Sequence, residues 1–278
     1  MILVTGATGN IGRPLLAKLR ASGTAGPVRA LTRDASRAAF PPGTEAVEGD
    51  LTDPASLERA LDGVRSLFLL GGTGTETGLL DTARRAGAEH AVLVSSITVL
   101  THPHLNPALR NLATERHLQD SGFDWTILRP TQFASNTLWW ADAIRARRAV
   151  RVPYADTGLP TIHPADIASV AHAALTASGH RGSTYALTGP ERISPRQQVE
   201  AIAAALGRPV GVTPVTREEA HRDMSAFLGD EVAAAVLDLT GGDVNAELRA
   251  VRDTVERVTG APATPFARWA EENAAAFR

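Results

Sequence analysis

The sequence predicts an α/β protein: a doubly wound parallel sheet of the Rossmann type, with a smaller, mainly helical C-terminal lobe. Three observations carry this. Short apolar runs alternate with amphipathic helical patterns through the first half of the chain, as βα units require. The first run, MILVTG, leads through glycines 6, 9 and 12 directly into a helical pattern. The chain has 278 residues, 44% of them apolar, which suffices for a large core plus a lobe.

In chain order, MILVTG reads as a strand and Ile11 to Leu19 as a helix with Ile11, Leu15, Leu16 and Leu19 on one face. VRALTR and TEAVEGD are the next strands. In DPASLERAL, Asp53 caps a helix whose first residue is Pro54, and Leu57 and Leu61 form its buried stripe. SLFLLG is a strand, TGLLDTARRAG a helix closing at Gly87, and HAVLVSS an uncharged strand expected at the centre of the sheet. After the loop THPHLNP a helix runs to Gly122, where a left-handed cap fits, and DWTILRP is the sixth strand. The rhythm then breaks. FASNTLWWADAIRARRAVRVPY has no evident partner strand, HPADIASVAHAALT and STYALTG return as helix and strand, and SPRQQVEAIAAALG starts a helical region from a serine cap. Residues 1–130, completed by about 159–188, are therefore expected to form the dinucleotide-binding core, and residues 131–158 and 189–278 a substrate-binding lobe over the strand ends.

Composition narrows the partners. Twenty-eight basic and thirty acidic side chains leave a formal charge of -2, so no positive field attracts nucleic acid or anionic lipid. Cysteine is absent, excluding disulfides and thiolate chemistry. The start of the chain lacks a secretory pattern, and a cytoplasmic monomer or homodimer is expected. His102 and His104 form an HxH pair with no third ligand at metal spacing, so no metal site is expected.

A GxxGxxG pattern between strand and helix is suited to a dinucleotide. Gly6 allows the sharp turn, Gly9 lets a pyrophosphate approach the backbone, and Gly12 lets helix and strand pack closely. The unpaired amides and the dipole of the helix start then face the phosphates. An NAD site wants a carboxylate at the end of the second strand. LTRD instead puts Thr32 and Arg33 there, and a guanidinium suits a 2′-phosphate, so NADP(H) is preferred over NAD(H) unless Arg33 merely pairs with Asp34. Asp50 ends the third strand, where it either receives the adenine amino group or caps a helix beside Thr52 and Asp53.

The pieces TGATGNIG, LTRD, GDLTDPASLERAL, VLVSS, ATERHLQDSGFDWTILRPTQFASN, HPADIAS, YALTGPERIS and TPFARWAEENAAAF resemble the NmrA-like group of atypical short-chain dehydrogenase/reductases, which includes type-2 quinone oxidoreductases and triphenylmethane reductase. The resemblance spans the whole chain. It implies an NADP-binding domain and either reductase activity or ligand sensing without turnover. By position it implies Thr8, Gly9, Asn10 and Ile11 at the pyrophosphate, Arg33 at the adenosine phosphate, Asp50 with Leu51 at the adenine, and Gly71 and Gly72 at the ribose. It further implies Ser95 and Ser96 near the nicotinamide, and Pro130, Thr131, Gln132, Phe133 and Asn136 around the pocket.

The sequence departs from common short-chain reductases in one respect. Those enzymes protonate the nascent alkoxide from a tyrosine with a lysine four residues later. Here Lys18 is the only lysine, Tyr154 and Tyr185 are the only tyrosines, and the positions where the pair belongs hold Pro107 and Asn111. Hydride addition to an isolated ketone needs a positioned acid. A quinone instead leaves a phenolate-like oxygen, with a conjugate acid near pKa ~10, that solvent can protonate. The expected activity is hydride transfer from NAD(P)H to a quinone or other conjugated aromatic acceptor; the alternative is an NADP(H)-sensing regulator. Phe133, Trp139 and Trp140 are candidates to stack on a flat ligand, although at least one tryptophan is expected in the core. Asn111, Ser96 and Gln132 are candidates to hydrogen-bond its oxygen, with capping of a helix or strand end as the equal alternative.

Overall fold

A computed structural model describes residues 1–23 and 26–278. In chain order the strands are β1 (Ile2–Val4), β2 (Val28–Thr32), β3 (Thr44–Glu48), β4 (Ser66–Leu70), β5 (His90–Val94), β6 (Asp124–Pro130), β7 (Val150–Val152), β8 (Ser183–Leu187) and β9 (Val212–Pro214). The helices are α1 (Gly12–Ala21), α2 (Pro54–Leu61), α3 (Glu76–Arg85), α4 (Thr98–Thr101), α5 (Asn106–Asp120), α6 (Ala141–Arg145), α7 (Pro164–Thr176), α8 (Pro195–Leu206), α9 (Arg217–Leu228), α10 (Asp230–Leu237), α11 (Ala246–Arg249), α12 (Thr254–Thr259) and α13 (Phe266–Glu272).

The chain divides into two compact units, one of Met1–Pro130, Pro164–Leu187 and Thr254–Ala261, the other of Thr131–His163, Thr188–Asp253 and Pro262–Arg278. The first unit is a parallel sheet in the order β3-β2-β1-β4-β5-β6-β8. Strand order reverses between β1 and β4, and in open α/β sheets ligands bind outside the carboxyl ends of the strands at such a point. As its uncharged run suggests, β5 is buried along its whole length. Leu57 and Leu61 of α2, Leu79 and Leu80 of α3 and Leu118 of α5 pack on Leu3, Leu67, Leu93 and Ile127 of the sheet. Asp53 caps α2 as its sequence indicates, accepting from the Ala55 amide at 3.1 Å. Arg29, buried in β2, closes the other end of that helix. Its Nη1 donates to the carbonyls of Arg59, Ala60 and Asp62 at 3.2, 2.8 and 2.9 Å, and its Nη2 pairs with Glu45 at 3.0 Å.

Two features depart from the sequence pattern. The segment 254–261, which the pattern assigns to the C-terminal lobe, packs its helix α12 on α7 and β8 and so belongs to the first unit. AVRVPY is not without a partner: β7 pairs in parallel with β9, matching Val150 with Val212 and Val152 with Pro214. Three-residue strands paired across sixty positions leave no local signature. In the second unit, Ser194 caps α8 with a full capping box, and Gly207 ends that helix in the left-handed conformation at φ +65°. Its core gathers Val199 and Ile202 of α8, Ile144, Val150 and Val152, and the ring cluster Phe266, Trp269 and Phe277.

Among the described residues no helix is long and apolar enough to cross a membrane.

Candidate functional site

In the first unit the carboxyl ends of β1, β2, β3 and β4 enclose a groove of about 680 Å³. The glycine turn forms one wall. Gly6 has φ +59°, a conformation that side chains disfavour, and the Gly9 amide donates to its carbonyl at 2.9 Å. A Cβ at position 12 would lie 2.2 Å from the Gly6 carbonyl oxygen, so α1 can start this close to β1 only with glycine there. Ile11, ahead of the helix, supplies no side-chain cap. Among the described residues no acceptor takes the amides of Asn10 and Ile11. A turn that requires glycine at 6 and 12, with free amides at a helix start, fits the diphosphate of a dinucleotide.

The opposite wall carries the adenosine-side candidates. Asp34 does not pair with Arg33. Its Oδ1 accepts from the Ser36 hydroxyl at 2.6 Å and from the amides of Ser36 and Arg37, bonds that together hold its pKa below the usual carboxylate value, the Ser36 hydroxyl contributing most. Arg33 is exposed, and no carboxylate among the described residues pairs with it. Asp50 Oδ1 accepts from the amide and hydroxyl of Thr52 at 2.8 and 2.7 Å; these bonds, then the nearby Arg33 charge, lower its pKa. Asp50 lines the groove, and the helix cap is Asp53. Leu51, partly buried, packs on the core.

At the end of β4, the Gly71 amide donates to the Val94 carbonyl at 2.7 Å, and a Cβ at 71 would meet that oxygen at 2.8 Å and Asn111 Oδ1 at 2.9 Å. Gly72 follows with φ +86°. The next loop is tied down by buried Glu76, whose Oε1 accepts from the Thr73 amide and hydroxyl at 2.5 and 2.9 Å. Ser95, ending β5, donates to Glu115 Oε1 at 2.5 Å, and Arg129 grips both oxygens of that buried carboxylate. Pro130 ends β6 with its carbonyl taking the Ile97 amide at 3.0 Å. Ser96 Oγ accepts from the Thr98 amide and hydroxyl at 3.2 and 2.9 Å, a local turn ahead of α4. Asn111 Nδ2 donates to the Pro107 carbonyl at 2.9 Å, one turn back in α5. The His102 and His104 rings lie 6.0 Å apart, and among the described residues no three metal-binding side chains cluster.

Sequence reasoning missed Arg13, Arg37, Thr73 and Thr75, which also line the groove. A signal existed for Arg13, since a cation in the first turn of a helix opposes the dipole. Its Nε donates to the Thr8 carbonyl at 2.8 Å.

The second unit has its own cavity of about 240 Å³. Gln132, Phe133, Asn136, Trp139 and Trp140 all line it. Trp140 packs on the core, whereas Trp139 is 54% exposed and meets Phe227 edge-on at 6.2 Å. Thr131, by contrast, is buried with its hydroxyl on the Pro160 carbonyl at 2.6 Å and is not part of the lining. The remaining wall comes from segments that the sequence did not mark: Met224 of α9, Val236 of α10, and Leu239 and Thr240 just beyond it. Their placement depends on Tyr154, held at φ +48°, whose ring fills the space where a Cβ of Gly241 would lie 2.0 Å from it. Gln132 Nε2 donates to the Leu239 carbonyl at 3.3 Å.

A family model described as NAD(P)H-binding matches residues 6–178, which span the groove and most of the sheet. The chain belongs to the NAD(P)H-binding family. It is 39% identical, over 100% of its length and 99% of the relative's, to a (4-alkanoyl-5-oxo-2,5-dihydrofuran-3-yl)methyl phosphate reductase from Streptomyces griseus. It is 34% identical to an NAD(P)H azoreductase from Xenophilus azovorans, again over 100% and 99%. The crystal structure of an NADPH-dependent quinone oxidoreductase from Escherichia coli complexed with NADPH superposes with a TM-score of 0.80 at 24% identity, covering 98% of this chain and 99% of that one. These relatives place the chain, as an NAD(P)H-binding oxidoreductase, in the NmrA-like atypical short-chain group of the family.

Proposed function

We propose that the protein is an NADPH-dependent reductase that delivers hydride to a quinone or similarly conjugated acceptor without a protein proton relay. One observation carries this reading: the residues lining the aromatic cavity include no aspartate, glutamate, histidine, lysine, tyrosine or cysteine. An acceptor held there gets no general acid from the walls around it, and only a molecule whose reduced form needs none reacts well. The names of the relatives agree in chemistry, since a dihydrofuranone, an azo compound and a quinone each offer an electron-poor conjugated double bond.

Gly6, Gly9 and Gly12 with the amides of Asn10 and Ile11 would hold the diphosphate, and Arg33 the 2′-phosphate that distinguishes NADPH. When bound, NADPH would supply the hydride, two electrons with one hydrogen nucleus, leaving NADP+. Phe133, Trp139 and Trp140 orient the flat acceptor. The electron pair displaced from the acceptor's double bond settles on its terminal oxygen or nitrogen, which takes a proton from water.

Purified protein mixed with NADPH and either a quinone, an azo compound, an unsaturated lactone or cyclohexanone tests the reading through nicotinamide absorbance. Oxidation with the conjugated acceptors and none with cyclohexanone is expected. No consumption with any acceptor, or brisk reduction of cyclohexanone, overturns it.

A further inference from the structure

We propose that the cavity of the second unit selects acceptors bearing an anionic substituent, with Arg151 as the residue that reads it; this deepens the reductase reading and rests on it.

Arg151 is the only formally charged residue in the cavity lining. Several of the neutral polar side chains there donate internally. Thr137 donates to the Ala134 carbonyl at 2.7 Å, Thr240 to the Val236 carbonyl at 2.9 Å, and Gln198 Nε2 to Thr161 Oγ1 at 3.0 Å. The guanidinium is thus the one cationic donor set in the lining, beside neutral donors such as the Asn136 amide. Arg151 sits at the middle of β7 between buried Val150 and Val152, with its backbone fixed by pairing to β9. Its Nε donates to Asp223 Oδ2 on α9 at 3.2 Å, and its two Nη nitrogens have no partner among the described residues. A guanidinium anchored through Nε keeps the paired Nη donors for a carboxylate, sulfonate or phosphate, which match that planar fork. Asp223 does not line the cavity, so an anion there faces one cation and no wall carboxylate. A half-exposed ion pair that merely ties α9 to β7 would contribute little and would be indifferent to the ligand.

The two roles separate in a binding titration that needs no turnover. Quenching of tryptophan fluorescence, which Trp139 and Trp140 place at the cavity, is followed with naphthalene-2-sulfonate and its neutral isostere naphthalene-2-sulfonamide. The wild-type protein is expected to bind the sulfonate about tenfold more tightly, the scale of one charge-assisted contact. Arg151→Met keeps the aliphatic stem and abolishes the ratio, and Arg151→Lys restores part of it. Asp223→Asn removes the competing carboxylate and raises the ratio, a change in the opposite direction that also carries the test should Arg151→Met fail to fold. Equal affinity for the two ligands in the wild type, or a ratio unmoved by both Arg151→Met and Asp223→Asn, overturns the proposal. Turnover of neutral quinones without a sulfonate preference overturns this inference alone. A sulfonate preference with no acceptor consuming NADPH leaves the anion site standing and overturns the reductase reading.

Discussion

Arg217 Nη1 donates to the Tyr154 hydroxyl at 3.2 Å while its Nη2 holds Asp238 at 2.7 Å, so one guanidinium joins the turn after β7 to the end of α10. The Tyr154 hydroxyl, more than the Asp238 carboxylate, keeps the Arg217 pKa above its usual value. A non-glycine residue at φ +48° costs free energy and persists where its surroundings over-determine it. Here the surroundings are the ring contact with Gly241 and the bond to Arg217, and what they fix is the neighbouring cavity wall at Leu239 and Thr240. Tyr154→Phe keeps the ring and removes the bond. It is expected to raise KM for the acceptor three- to tenfold, consistent with a loss of about 1 kcal/mol, with KM for NADPH unmoved. Steady-state kinetics with each substrate varied in turn check this.

In the proposed reading, Arg33 selects between the nicotinamide nucleotides. It is uncommitted, because Asp34 spends its carboxylate on Ser36 and the Arg37 amide. Arg33→Ser should raise KM for NADPH by about 10- to 100-fold, the worth of a hydrogen bond to a charged group, and change KM for NADH by less than about threefold on the same scale. Equal effects on both nucleotides would show that Arg33 acts on the fold instead.

The first half of the fold is legible because its signals are local. Asp53 and Pro54 mark a helix start, the apolar run of β5 marks a central strand, and Gly6 to Gly12 mark a strand-to-helix turn that needs glycine at 6 and 12. What the sequence hides is what depends on distant partners. β7 and β9 stabilise each other across sixty positions, and Tyr154 acquires its role from Arg217 and Gly241. Phe133, Trp139 and Trp140 could be read as cavity residues from their residue type and proximity to β6, whereas Met224, Val236 and Leu239 look like any apolar helix face. Ser96 and Asn111 read equally as oxygen-binding groups or as local caps, and their hydrogen bonds in the fold are the local ones to Thr98 and Pro107.

The glycine turn separates packing from binding. At Gly12 a Cβ meets backbone at 2.2 Å, while at Gly9 the nearest atom is the same Gly6 oxygen at 3.2 Å. Gly12→Ala must shift α1 against β1 and should cost about 1–3 kcal/mol of stability, the usual price of overpacking, together with most NADPH affinity. Gly9→Ala should lower NADPH affinity more than stability. Thermal melts with and without NADPH distinguish the two.

His90 makes stability depend on pH. It is 4% exposed, its Nε2 has no partner among the described residues, and burial, then the Arg181 charge, lower its pKa from 6.5 to about 4 despite the opposing charge of Asp124. The unfolded chain therefore binds this proton more readily than the fold does. Stability is full above pH ~6.5 and falls as pH drops toward 4, by roughly 1–3 kcal/mol from this residue. Melting temperature should decline through that window, and His90→Phe should flatten the decline.

The absence of an acid in the cavity lining predicts the pH profile of the reaction. The lining holds no aspartate, glutamate, histidine, lysine, tyrosine or cysteine, so the rate has no ionisation of a wall acid to follow. With a neutral quinone, kcat/KM should be flat from about pH 6.5 to 9, the interval above the His90 transition and below the ~10 of a phenol. Transfer of deuterium from the reactive position of the nicotinamide should slow the step, while heavy water should leave it nearly unchanged, because the proton arrives after hydride transfer. A sigmoid profile with an apparent pKa inside that interval, together with a normal effect of heavy water, would mean that a protein acid reaches the acceptor during hydride transfer. In that case the class of acceptors widens to simple ketones.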